Sequence, residues 1–224
     1  MTKTTKKHRP PNVPSERPGP EGGKRDANRR EKVRLLCDVS LGLFCDGGVE
    51  AVTIDEVVAK ANVAKGSFYR YFSGKEELVE TLFSPLAEEM RSLSEATQDA
   101  LRATTSSVEL SQAYLDLATT VARLLASNLE ILRLYLQENR GPAVGARRPI
   151  INLAKEIDQI AFDLTEVARS QGLLRSDYDL KVGSLTSLGA AERLLFSYVR
   201  GDNLGSPAMV SAELIQVILN GVRA

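Results

Sequence analysis

The 224 residues contain no tryptophan, a single histidine and only two cysteines. His8 lies in a Pro-rich N-terminal stretch, so histidine-based triads, proton shuttles and metal clusters are excluded by inventory. Cys37 and Cys45 sit eight residues apart in one helical-looking segment, too stiff a connection for them to pair, which removes a disulfide framework and a thiolate metal site. Apolar runs stop well short of the ~18 residues a membrane span needs. The N-terminal lysines have no apolar stretch behind them, as a secretory leader would require. A reducing cytoplasm is the expected compartment, and no cofactor or metal is expected. Lys+Arg and Asp+Glu are 29 each. A net charge of zero argues against a general polyanion binder.

What is present is an ordinary globular composition, 43% hydrophobic and 26% charged, with an unusual distribution of charge. Residues 1–75 carry 15 basic and 9 acidic side chains, a net +6, and residues 76–224 carry 14 and 20, a net −6. Such polarity along a chain is expected when one end meets a polyanion and the other does not.

Residues 1–28 hold five of the nine prolines and only Met1 and Val13 as large apolar side chains, and read as a disordered basic tail. From Arg29 onward the pattern is helical, without sustained period-two alternation, which makes the chain all-α. A first helix over 29–46 places Leu36, Val39, Ser40, Leu43 and Phe44 on one face, and Gly47-Gly48 stops it. Thr53-Ile54-Asp55-Glu56 forms a capping box that starts a short helix buried through Ile54, Val57, Val58 and Ala61. After Ala61-Asn62-Val63 comes a second short helix, Lys65 to Phe72. Two brief helices joined by so tight a turn are a helix-turn-helix.

These residues resemble the tetracycline-repressor (TetR) type transcriptional regulators. The resemblance runs from Arg29 to about Leu82 and rests on the order and spacing of Leu43-Phe44, Gly47-Gly48, Thr53-Ile54, Val57-Val58-Ala59, Ala61-Asn62-Val63, Lys65 to Phe72 and Lys75-Glu76-Glu77-Leu78. It departs from the family at Asn62, where Gly is usual, and at Ala64, where Ser or Thr is usual. Asn tolerates the left-handed turn, whereas Ala64 cannot cap the recognition helix or offer a hydroxyl to DNA. The resemblance implies that Thr53, Tyr69, Tyr71 and Lys75 meet backbone phosphates. Base readout requires side chains on the outward face, which Lys65, Ser67 and Arg70 supply, with Gly66 permitting close approach. Phe68 and Phe72 are expected to point inward. The domains are then the tail 1–28, a three-helix DNA-binding domain 29–74 and a helical bundle 75–224.

Bundle helices are predicted near 75–93, 107–126, 128–139, 148–171, 179–200 and 207–222. Between Asn203 and Val222 the only charge is Glu213, so the last helix is apolar nearly all round and must be covered on more than one side. With the preceding helix it suggests a four-helix homodimer interface, which the resemblance also implies. A bundle of this size can hold a small molecule, and the resemblance implies an effector site. Tyr114, Leu117, Tyr135 and Phe162 are the pocket candidates. The reading is a dimeric, sequence-specific DNA-binding regulator, a repressor released from its operator by a small-molecule effector. The alternatives are a regulator that needs no effector and, remotely, an all-helical enzyme working through Asp116, Asp158, Asp163 and Glu166.

Overall fold

The computed structural model describes residues 24–222, and the regular elements among them are nine α-helices and one 3-10 turn. These are α1 (Lys24–Gly47), α2 (Ile54–Lys60), α3 (Lys65–Tyr71), α4 (Lys75–Ala103), α5 (Ser107–Ala126), α6 (Leu129–Glu138), the 3-10 turn Gly145–Arg147, α7 (Arg148–Ser170), α8 (Leu180–Val199) and α9 (Pro207–Val222). The tail expected to be disordered lies outside the described residues up to position 23. Its last five residues, 24–28, belong instead to α1.

Local chemistry sets the head. Gly48, at φ +81°, lets the chain turn away from α1, and the capping box predicted at Thr53 forms in full. Asn62 takes φ 52°, the left-handed conformation its amide side chain tolerates. Ala64 caps α3 with no side-chain hydrogen bond. Leu36 and Phe44 of α1 share one buried core with Val57 and Val58 of α2 and with Phe68 and Phe72, so both aromatics of the recognition segment face inward, and Ser40 on the same face of α1 is buried as well. Burying each such phenylalanine contributes roughly 2–3 kcal/mol.

In the body, α4 packs along α7, α5 against α9 and α7 against α8. Helix α4 runs ten residues past its predicted end because Ser94, Thr97 and Leu101 continue its buried face. The head's core does not stop at residue 74. It continues through Leu78, Val79 and Phe83 of α4 into Leu132, Leu134 and Tyr135 of α6 and Ile150 of α7. A smaller cluster, including Leu101, Leu110, Leu164 and Leu174, closes the far end.

Candidate nucleic-acid interface and its link to the bundle

Because Phe68 and Phe72 fill the core, the 3.6-residue period turns the rest of α3 outward. Lys65, Gly66, Tyr69 and Arg70 are exposed, Ser67 and Tyr71 half-buried. A Cβ at Gly66 would meet nothing within 4 Å, so this stretch of α3 presents bare backbone. The Tyr69 ring stands edge-on to Phe68, with centroids 5.4 Å apart, which fixes its direction while its body stays 40% exposed. Tyr71 leans on the head's core.

Three of the predicted contact residues are already engaged. The Lys65 ammonium pairs with Asp55 Oδ1 at 2.6 Å, both groups in solvent, so the pair costs little to exchange for a phosphate or a base. The Thr53 hydroxyl donates to Glu56 Oε2 at 2.8 Å and accepts from the Glu56 amide at 3.2 Å. The Thr53 amide, which donates to Glu56 Oε2 at 2.7 Å, and then the Thr53 hydroxyl hold the Glu56 carboxyl below its ordinary range. Lys75 donates from Nζ to the carbonyls of Glu50 and Val52, each at 2.8 Å. Burial draws its ammonium below the usual lysine range. Lys75 is thus a strap across the α1–α2 turn that keeps one N–H for a further acceptor.

The turn that Lys75 grips from one side is held by the bundle from the other. Glu138, at the end of α6, is 4% exposed. Its Oε1 accepts the Val49 amide at 3.1 Å and its Oε2 accepts Arg147 Nε at 2.6 Å. The Arg147 amide in turn donates to Glu50 Oε1 at 3.0 Å. Arg148 pairs with Glu76 at 2.9 Å beside the start of α4, and Arg91 further along α4 pairs with Glu156 of α7. Segment 48–52, α4 and α6 are therefore coupled by charge-assisted bonds as well as by a shared core. Sequence reasoning missed Glu138 and Arg147, because their partners lie up to 97 residues away.

Inside the bundle, α4, α5, α7, α8 and α9 line an apolar, partly open cavity of about 230 Å³. Met90 of α4, Tyr114 and Leu117 line it. A second cavity of about 120 Å³ adjoins it, sharing Ala118, Val121, Ala191 and Leu214. Tyr135 and Phe162 do not line either. The Tyr135 hydroxyl donates to Glu192 Oε1 at 3.2 Å while its ring joins the α1–α6 core, and Phe162 faces a separate groove with Lys155 and Lys181 between α7 and α8. Tyr178, from the α7–α8 loop, lines the larger cavity and was not anticipated.

The carboxylates weighed for catalysis do not converge. Asp116 accepts from Gln112 on α5 and Asp163 from Gln159 on α7, ordinary pairs along single helices. No group of three metal-binding side chains occurs among the described residues. No helix there is long and apolar enough to cross a membrane. The thiols are quiet: burial pushes Cys37 up to about 11, and Cys45 donates to the Glu130 carbonyl at 3.4 Å.

Residues 36–82 match the family model described as bacterial regulatory proteins, tetR family. Among relatives, the HTH-type transcriptional repressor KstR of Rhodococcus jostii is 41% identical over 61 residues, 27% of each chain. The uncharacterized HTH-type transcriptional regulator YhgD of Bacillus subtilis is 36% identical over 61 residues, 27% of this chain and 32% of that one. The chain thus spans about a third or less of the length of these relatives. The crystal structure of the transcriptional regulator FadR from Bacillus subtilis in complex with stearoyl-CoA superposes with a TM-score of 0.65 at 17% identity, covering 85% of this chain and 99% of that one. At that identity the likeness is one of fold, and it extends over the bundle that the family model does not reach. These similar proteins are regulators, not enzymes. Residues 36–82 thus carry the sequence pattern of the tetR family of bacterial regulatory proteins, on a chain whose fold over 85% of its length is that of such a regulator.

Proposed function

We propose that the protein is a homodimeric repressor that reads operator DNA through α3 and leaves it when an apolar effector enters the α4–α9 cavity. The observation that carries this reading is the position of α4. Its first residue, Lys75, grips the turn of the DNA-binding head, and Met90 of the same helix lines the cavity. An effector that prefers one placement of α4 shifts the orientation of the head, to the extent of its differential affinity for the two states. Repression is supported by the name of the Rhodococcus relative, and an apolar effector by the acyl ligand in the FadR complex. Work on an operator places the protein in the cytoplasm.

Lys65, Ser67 and Arg70 are assigned to base edges, with Gly66 allowing approach, and Thr53, Tyr69, Tyr71 and Lys75 to phosphates. Thr53 does this only by exchanging its bond to Glu56. Dimerisation through α8 and α9 is supported by the apolar side chains they leave uncovered, among them Val182 at 63%, Met209 at 61% and Val217 at 73% exposure. A twofold axis there supplies two recognition helices, as two half-sites require.

The test is fluorescence anisotropy on a duplex recovered by selection. Arg70→Ala is expected to cost roughly 1–3 kcal/mol and to relax preference at one base pair. Tyr69→Ala is expected to weaken all sequences alike. Wild-type affinity in a Tyr69→Ala, Arg70→Ala double variant would refute the assignment of α3.

A further inference from the structure

The larger cavity has one polar feature that folding leaves without use. Around it, the hydroxyls of Thr165, Ser184 and Ser187 each donate to a carbonyl of their own helix, at 2.7–3.0 Å. Tyr114 donates to the Leu164 carbonyl at 3.2 Å. The Tyr178 hydroxyl alone in this lining is shielded from solvent with no hydrogen-bond partner among the described residues. Buried hydroxyls without partners are rare and costly, of the order of 1–3 kcal/mol, and such a group calls for an explanation.

The placement of that hydroxyl is built. Arg169 of α7 donates to the Tyr178 carbonyl at 3.1 Å and pins the loop. The ring lies directly on Gly183 of α8, where any Cβ would overlap it. Burial holds the phenol above its ordinary range against the opposing pull of Arg169 and Arg175, so it stays a donor at all physiological pH. The Tyr114 hydroxyl, whose proton goes to the Leu164 carbonyl, keeps its oxygen lone pairs for accepting. No charged side chain lines the cavity among the described residues. An ionised group drawn inside would have nothing to pair with.

Given the reading of this cavity as the effector site, we infer that Tyr178 is its polar recognition residue and that the effector carries a neutral oxygen acceptor, a carbonyl in its simplest form, on an otherwise apolar body. A water molecule is a poorer occupant of that position, because it needs two to four polar partners and the neighbouring hydroxyl protons are already committed. The charged part of any amphiphilic effector stays outside the cavity, while the carbonyl next to its chain reaches Tyr178.

Three matched probes test this by isothermal titration: butylbenzene, butyrophenone, which adds a carbonyl to the same skeleton, and 4-phenylbutyrate, which carries a carboxylate. Tyr178→Phe is expected to weaken butyrophenone roughly 3- to 10-fold, the worth of one neutral hydrogen bond, while butylbenzene changes by less than about twofold. Gly183→Ala, which keeps the hydroxyl and displaces the ring, is expected to lose the same preference. Because Tyr178→Phe deletes an unpaired buried hydroxyl, the unliganded variant is expected to melt no lower than wild type, which a purely structural role for Tyr178 contradicts. If both neutral probes bind and Tyr178→Phe treats them alike, the assignment of Tyr178 falls while the cavity remains an effector site. Tighter binding of 4-phenylbutyrate than of butyrophenone overturns the neutral acceptor. Failure of all three to bind wild type overturns the cavity itself as an effector site.

Discussion

Glu138 is a buried charged side chain whose loss the structure makes costly. It is 4% exposed and receives the Val49 amide on one oxygen and Arg147 on the other. Glu138→Ala leaves a guanidinium that is only 19% exposed, and a buried amide, without partners. Removing one member of a buried ion pair typically costs 3–5 kcal/mol, and the partial reach of Arg147 to solvent places this case near the lower end, about 3 kcal/mol. For a chain of this size that corresponds to a fall in Tm of roughly 6–12 °C. Glu138→Gln retains an acceptor for Val49 and is expected to lose about half as much. The assay is urea unfolding at fixed protein concentration, since a dimer's apparent stability depends on it. Operator affinity measured well below the transition should also fall, because the 48–52 turn is then held only by Lys75 and by the Arg147 amide on Glu50. A cost under about 1 kcal/mol for Glu138→Ala, or an Arg147→Met, Glu138→Leu double variant no better than the sum of its singles, would refute the clamp.

Other consequences are open to direct measurement. Ala64→Ser supplies the missing cap of α3, where the backbone already has the extended conformation such a cap needs, and is expected to add about 1 kcal/mol. No gain in urea midpoint would show that the first turn of α3 is otherwise satisfied. Met209→Asp with Val217→Asp places charge on the uncovered face of α9 and should yield monomers by sedimentation at micromolar concentration; intact dimers would move the interface elsewhere. Glu56, Glu77 and Glu109 are held below their ordinary value near 4.5 by bonds from Thr53, Ser73 and Thr105 respectively. Carboxyls depressed in the fold contribute stability above the unfolded-state value and lose it as pH falls through the folded one. Tm should therefore change little from these groups between pH 7 and 5 and fall below about 4.5, and a Tm constant down to pH 3 would contradict this.

The parts of this molecule written in short-range pattern were legible in advance. The capping box at Thr53, the left-handed Asn62 and the inward Phe68 and Phe72 follow from neighbours within a few residues, and all appear as expected. Helix ends marked by Gly or Pro, as at Pro207, were legible for the same reason. The start of α1 at Lys24 and the extension of α4 to Ala103 were not, because those turns are polar, or bury serine and threonine, and so leave no apolar stripe to count. Tyr114 and Leu117 face the cavity, but Tyr135 of the same candidate set is spent on Glu192, which periodicity cannot reveal. Glu138 reads as any surface glutamate, and Tyr178 as a loop residue, until the fold brings Val49 to one and Gly183 to the other.

The central claim, that a pair of α3 helices reads DNA, is tested most directly by selecting bound duplexes from a random pool. The account predicts enrichment of two related half-sites arranged with twofold symmetry, their centres one helical turn of about 10 base pairs apart or a multiple of it, with Arg70→Ala relaxing one position in each half. A pool that returns unenriched, or that yields a single half-site without a symmetric mate, would contradict it.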